Sequence, residues 1–128
     1  MKKPSRRILL VDDNEDFRVT LSTRLVAEGF DVTTSESGSD AIQLSAQQPF
    51  DLILLDMLMP EQDGVTTYRQ LREQPATREV PVILLTGVAV EGHWEPIQRD
   101  ADPRAFVMGK PYDYRALLAR IGQLLELP

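Results

Sequence analysis

The sequence contains no cysteine and only one histidine, His93. Disulfide bonds and thiolate metal sites are therefore excluded, and one histidine is too few for a histidine-based zinc site. The sequence also lacks an apolar run of roughly 20 residues, the length of a transmembrane helix, and it lacks the pattern of a signal peptide. We therefore expect a soluble, cytoplasmic protein without a membrane span, in which any bound metal ion has oxygen ligands.

Basic residues are in the minority, since 14 lysines and arginines stand against 20 aspartates and glutamates, for a net charge of -6. A negatively charged protein gains little from the counterion release that drives binding to nucleic acid. The basic cluster in residues 2–7 is interpreted as a solvated N-terminal flank, flexible over residues 1–5. Direct binding to nucleic acid is not expected.

Apolar runs and amphipathic stretches alternate along the 128 residues, which is the usual size of one domain. Three of the apolar runs have no polar alternation, as expected for strands that helices cover on both faces. The sequence therefore predicts a single α/β domain over residues 1–128 with a doubly wound, five-stranded parallel sheet. The predicted strands cover residues 8–11, 31–34, 52–55, 80–85 and 106–108.

Helical periodicity separates these strands. Gly29 is predicted to end the first helix, and Ser37 or Ser39 to cap the second. Residues 91–100 include a glycine and a proline and show no apolar stripe, so the fourth helix is predicted to be irregular or short, over about residues 96–101. The apolar positions of the other helices are Phe17, Leu21 and Leu25; Ala41 and Leu44; Val65, Tyr68 and Leu71; and Leu117, Leu118, Ile121, Leu124 and Leu125.

Polar residues come at or just after the ends of four of the predicted strands. Asp12 and Asp13 follow the first, Asp56 the third, Thr86 the fourth, and Lys110 comes soon after the fifth. Because ligands bind at the carboxyl ends of the strands in such sheets, we expect these side chains to converge there. Three carboxylates suit a hard cation such as Mg²⁺ or Mn²⁺, and a hydroxyl and an ammonium group can bind phosphoryl oxygens. The pattern predicts phosphoryl transfer to a carboxylate.

Four segments of the sequence, each near the end of a predicted strand, resemble the signature segments of response-regulator receiver domains. They are residues 10–14 (LVDDN), 56–64 (DMLMPEQDG), 81–87 (PVILLTG) and 110–112 (KPY). One such segment is a moderate signal, whereas four in order along nearly the whole chain are a specific one. The resemblance implies a flavodoxin-like fold with strand order 2-1-3-4-5.

The resemblance also implies a signalling function. Asp56 would be phosphorylated by a histidine kinase, a phosphotransfer protein or a small phosphodonor, and would lose the phosphate by self-catalysed hydrolysis. Phosphorylation would change a surface that binds a downstream protein, with the domain a monomer or a phosphorylation-dependent dimer. The implied Mg²⁺ (or Mn²⁺) ligands are Asp12, Asp13, Asp56 and the Leu58 carbonyl, and the implied ligands of the phosphoryl group are Thr86 and Lys110.

Several alternatives stay open. Asp12 and Asp13 could merely cap the first helix. A phosphatase of the haloacid dehalogenase type would need an acid where Leu58 stands, and a flavin carrier would need a phosphate-binding loop that the chain lacks after its first strand. A degenerate receiver that binds partners without phosphorylation also fits. So does the N-terminal receiver of a longer regulator, because the start at Met1 is interpreted as placing the receiver first in its chain.

One position departs from the family pattern. Receivers usually carry Tyr or Phe three residues before the lysine, at a place called here the switch position, where rotation of the ring reports phosphorylation. In this sequence that residue is Val107, and the aromatic residue is Phe106. A register shift of one residue, or a bulge, would exchange the faces of the two side chains. The sequence leaves open which of them occupies the switch position.

Overall fold

The computed structural model describes residues 6–56, 64–87, 102–110 and 113–126, with the backbone alone at residues 86, 87 and 110. The predicted N-terminal flank and the predicted short helix at 96–101 lie outside these residues. The strands are β1 (Arg7–Val11), β2 (Asp31–Ser35), β3 (Leu52–Asp56), β4 (Val82–Gly87) and β5 (Ala105–Lys110). The helices of the described residues, numbered in chain order, are α1 (Glu15–Ala27), α2 (Gly38–Gln47), α3 (Gly64–Glu73) and α4 (Tyr114–Leu124).

The five strands form one sheet with the order β2-β1-β3-β4-β5, and every neighbouring pair is parallel. Both the doubly wound sheet and its strand order are confirmed. β1 and β3 lie side by side, with Val11 opposite Leu55. The residues that follow these two strands therefore emerge next to each other at the carboxyl edge of the sheet.

Helices cover both faces of the sheet, which explains why β1, β3 and β4 lack polar alternation. Their apolar residues are fully buried, and each such Leu or Ile contributes about 1.5–3 kcal/mol of stability. α2 and α3 pack on one face through Ala41, Tyr68 and Leu71, against Leu9, Val11, Ile53, Leu55, Val82 and Leu84. α1 and α4 pack on the other face through Leu21, Leu25, Leu117 and Ile121, against Ile8, Leu10, Leu52, Leu54, Ile83 and Leu85.

The helix boundaries follow from local signals. Gly29 has a positive φ of 101°, the left-handed conformation that glycine adopts easily just after a helix, so it ends α1 as predicted. Ser37, rather than Ser39, is the N-cap of α2, because its side-chain oxygen accepts a hydrogen bond from the backbone N–H of Asp40 at 3.1 Å. Asp113 caps α4 in the same way.

The register of β5 decides which residue occupies the switch position. β5 pairs with β4 without interruption from Ala105 to Lys110, so no bulge is present. Val107 lies opposite Leu84, on the face covered by α2 and α3, and is 36% exposed. Phe106 lies on the other face, where the guanidinium of Arg120 sits 4.7 Å from its ring centre. The switch position three residues before Lys110 is therefore occupied by Val107.

None of the helices in the described part of the chain is long and apolar enough to cross a membrane.

Candidate metal and phosphoacceptor site

Three carboxylates meet at the carboxyl edge of the sheet. Asp12 follows β1 directly, Asp13 comes next, and Asp56 is the last residue of β3. One oxygen from each carboxylate can be chosen so that all three atoms lie within 4.8 Å of one another. Asp12 and Asp56 are nearly buried, at 1% and 6% exposure, whereas Asp13 is exposed. The cluster is therefore buried at Asp12 and Asp56 and open to solvent at Asp13, where a ligand can enter.

The turn between β1 and α1 holds the two consecutive aspartates. The backbone N–H of Asp12 donates to the carbonyl of Ser35 at 3.1 Å, which extends the pairing of β1 with β2 by one bond. The Asp12 side chain accepts a hydrogen bond from the backbone N–H of Asn14 at 2.9 Å, which closes a tight turn around Asp13. The chain thus leaves the strand within two residues of its end.

Helix capping is the role of Asn14. Its side-chain oxygen accepts a hydrogen bond from the backbone N–H of Phe17 at 3.0 Å, and Asn14 is the N-cap of α1. Neither Asp12 nor Asp13 holds that position. The interpretation of the aspartate pair as simple helix caps is therefore wrong, and their convergence with Asp56 needs another explanation.

Three negative charges so close together repel one another. At the effective dielectric constant of a protein surface, each pair of charges about 4–5 Å apart costs on the order of 3–4 kcal/mol before screening by salt. A cation bound between them removes this cost. An all-oxygen donor set, with one exposed member and space for water, fits a hard divalent cation such as Mg²⁺.

The backbones of Thr86 and Lys110 lie at the same edge of the sheet. Asp56 pairs with Leu85, the neighbour of Thr86, and Lys110 pairs with Gly87 across β4 and β5. Both backbones therefore lie at the predicted edge, but β4 extends to Gly87 and β5 to Lys110, so each residue stands within the end of its strand rather than after it. Leu58, the predicted source of a carbonyl ligand, lies outside the described residues.

Sequence reasoning missed one residue at this site, Arg18. Its guanidinium donates a hydrogen bond to the backbone carbonyl of Asp12 at 2.7 Å. Arg18 is four residues after Asn14, so it lies one turn into α1 above the cap. That spacing is the only signal in the sequence, and it also fits an ordinary solvated arginine.

Comparison with known proteins agrees with this geometry. The model of the response regulator receiver domain family matches residues 8–122. The chain belongs to this family. Receiver domains bind Mg²⁺ at an acidic site, and they receive phosphoryl groups from histidine kinases or small donors.

Two longer regulators contain a region similar to this chain. The response regulator PleD of Caulobacter vibrioides is 39% identical over 120 residues, which are 94% of this chain and 26% of that protein. The transcriptional regulatory protein GltR of Pseudomonas aeruginosa is 35% identical over 127 residues, or 98% of this chain and 51% of that protein. The chain thus spans about a quarter to a half of these relatives.

A solved receiver domain has the same fold. It belongs to a sensor histidine kinase of Pseudomonas aeruginosa and carries a magnesium ion in its active-site cleft. Its sequence is 29% identical, the match covers 96% of this chain and 99% of that chain, and the TM-score is 0.84.

Proposed function

We propose that this receiver domain is a phosphorylation-dependent switch that accepts a phosphoryl group on Asp56 with the help of Mg²⁺ or Mn²⁺. The observation that carries the proposal is the convergence of Asp12, Asp13 and Asp56 within 4.8 Å at the edge of the sheet. A cluster maintained only for folding would not bring three like charges together, because their repulsion lowers stability.

Each residue has a distinct task in this proposal. Asp12, Asp13, Asp56 and the Leu58 carbonyl hold the cation, which when bound neutralises charge on the transferring phosphoryl group. An oxygen of Asp56 attacks phosphorus as the bond to the donor breaks. Lys110 offsets negative charge on the phosphoryl oxygens, and the Thr86 hydroxyl donates a hydrogen bond to them. Since Asp56 is nearly buried, the donor must approach from the open side of the site, beside Asp13.

The proposed donor is a histidine kinase or phosphotransfer protein in the cytoplasm, and the proposed output is a changed surface for a downstream protein. Hydrolysis of the aspartyl phosphate, catalysed by the domain itself, resets the switch. The domain is proposed to act as a monomer or as a phosphorylation-dependent dimer. Relatives such as GltR, named a transcriptional regulatory protein, support an effector that lies outside the 128 residues.

The proposal is tested by the intact mass of the chain after incubation with acetyl phosphate and Mg²⁺. We expect a gain of one phosphoryl group that disappears with a chelator and with Asp56→Asn. Asp31→Asn is a matched control, because Asp31 is exposed at the amino end of β2, away from the carboxyl edge that holds the cluster. This variant should gain one phosphoryl group, as the parent does. If a folded, Mg²⁺-containing sample gains no mass, the chain is instead a degenerate receiver that binds partners without phosphorylation.

A further inference from the structure

Arg18 binds the peptide group that joins the two consecutive aspartates of the site. One guanidinium nitrogen, Nη1, lies 2.7 Å from the backbone oxygen of Asp12. The side chain is half-buried, so it is partly shielded from competing water. Hydrogen bonds from a charged donor are stronger than those from a neutral one. This contact therefore restrains the peptide group that joins Asp12 to Asp13.

The orientation of this peptide determines where the Asp13 carboxylate can go. Successive side chains of a strand point to opposite faces, so Asp12 and Asp13 can reach one cation only if the backbone turns between them. The N–H of Asp12 is held by Ser35, and its carboxylate is held by the N–H of Asn14. Arg18 binds the remaining polar group of Asp12, the carbonyl that belongs to the Asp12–Asp13 peptide.

The positive charge of Arg18, unlike its hydrogen bond to the Asp12 carbonyl, acts against binding of the cation. A guanidinium near a cation site repels the cation, so charge alone would make Arg18 unfavourable there. The carboxylates of Glu36 and Asp40 line the same open pocket as Arg18, and their negative charge lowers the positive potential that Arg18 creates there. The two effects of Arg18 therefore predict opposite results when the residue is removed.

We propose that Arg18 is a positioning residue, which orients the Asp12–Asp13 peptide so that Asp13 faces the cation. This inference rests on the proposed function, because it assumes that Asp12, Asp13 and Asp56 bind Mg²⁺. Arg18 does not itself contact the cation or the phosphoryl group. Groups that orient metal ligands in this way typically change metal affinity by about 10- to 100-fold. Because Arg18 is only half-buried, we expect an effect at the lower end of this range.

The test is isothermal titration of the folded chain with Mg²⁺, comparing the parent protein with Arg18→Met and Arg18→Lys. We expect Arg18→Met to bind Mg²⁺ about tenfold more weakly than the parent. Arg18→Lys keeps a charged donor and should recover part of the loss, which a general loss of helix packing would not explain. Arg78→Met is the control, because it removes an exposed arginine from the turn after α3, and it should leave the affinity unchanged.

The outcomes separate this inference from the proposed function. If the parent protein binds neither Mg²⁺ nor, in a parallel titration, Mn²⁺, the proposed function is wrong. If the parent binds and Arg18→Met binds equally well or more tightly, the proposed function stands and the positioning role of Arg18 is wrong. Circular dichroism in chelator checks that each variant is folded, and Arg18→Gln replaces Arg18→Met if that variant is not.

Discussion

Three consecutive polar residues, Asp12, Asp13 and Asn14, have different roles in the turn between β1 and α1. Asn14 caps the helix, whereas the aspartates join Asp56 in the acidic cluster. The sequence predicts the cluster, because all three aspartates come at the ends of buried strands that a parallel sheet brings to one edge. It does not assign the cap, because aspartate and asparagine are almost equally favoured at that position.

Replacing Asn14 with Ala should lower the free energy of unfolding by about 1 kcal/mol, the usual value of an N-cap hydrogen bond. Urea denaturation in chelator measures the change. Asn14→Ser is the matched control, because a serine oxygen can accept the same hydrogen bond from the Phe17 N–H. Equal stability of the Ala and Ser variants would show that the cap contributes nothing and would reopen a capping role for the aspartates.

Asp13→Asn should have opposite effects on stability with and without the cation. In chelator, we expect the variant to be about 1 kcal/mol more stable than the parent, because one of three repelling charges is removed. In excess Mg²⁺, the parent should gain stability by binding the ion in its folded state alone, and the variant should gain much less. Thermal unfolding under both conditions gives the comparison.

Asp16→Asn is the control for this experiment, because Asp16 is an exposed carboxylate in the first turn of α1 and lies outside the acidic cluster. It removes the same charge, but its response to Mg²⁺ should match that of the parent. An Asp13→Asn protein that Mg²⁺ stabilises as strongly as the parent would argue against Asp13 as a ligand.

At the scale of the elements, a polar cluster formed by Tyr68, Arg72 and Asp102 connects α3 to the turn that precedes β5. The Arg72 guanidinium lies 2.6 Å from the carboxylate of Asp102, which also accepts a hydrogen bond from the Tyr68 hydroxyl. Arg72 further donates to the backbone carbonyls of Thr77 and Val80. The sequence gives no sign of this cluster, because Arg72 and Asp102 are 30 residues apart and neither belongs to a recognisable motif.

Arg72→Met should destabilise the fold by about 2 kcal/mol, because it leaves a carboxylate and two carbonyls without a charged donor. Arg69→Met, which removes a neighbouring exposed arginine of α3, should change the free energy of unfolding by less than about 0.5 kcal/mol. Urea denaturation measures both variants. Equal, small effects would show that the contacts of Arg72 are too solvated to contribute.

The same cluster makes stability depend on pH in the alkaline range. Burial, together with the hydrogen bond to Asp102, raises the pKa of Tyr68 to about 12 from an ordinary value of 10.0. Because the folded state disfavours tyrosinate, the contribution of this group is fully present below pH 10 and is lost as the pH rises through about 12. The parent should therefore lose stability over this interval more steeply than Tyr68→Phe, in urea denaturation at a series of pH values. Parallel pH profiles would contradict the shift.

The Asp102 carboxyl group makes stability depend on pH in the acidic range. Burial by itself raises the pKa of Asp102, but the hydrogen bonds from Tyr68, the Arg104 backbone and Arg72 outweigh burial, so the pKa lies below its ordinary value of 3.8. A carboxyl group with a lowered pKa in the folded state stabilises the fold above its ordinary pKa. That contribution is lost as the pH falls through the pKa of the folded state.

The presence of β5 can be predicted from the sequence, but the orientation of its side chains cannot. Its existence follows from a short apolar run, but the faces of Phe106 and Val107 depend on a register that the sequence does not determine. The continuous pairing with β4 places Val107 at the switch position and Phe106 under Arg120. The switch position of this domain therefore carries no aromatic ring.

At the scale of the whole molecule, the fold could be predicted because burial on both faces of the sheet requires unbroken apolar strands. The family could be predicted because the polar residues at the strand ends belong to four segments that resemble the receiver signatures in the same order. The downstream effector could not be predicted. In PleD and GltR, the matching region makes up only about a quarter to a half of the protein.

The central claim is that Asp56 itself carries the phosphoryl group, and chemical trapping tests it most directly. Borohydride reduces an aspartyl phosphate to homoserine, so the position of homoserine in a peptide map marks the phosphorylated residue. After incubation with acetyl phosphate and Mg²⁺, we predict homoserine at position 56 and at no other aspartate, with none formed in chelator. Homoserine at position 12 or 13, or none in a sample that gained phosphoryl mass, would contradict the assignment.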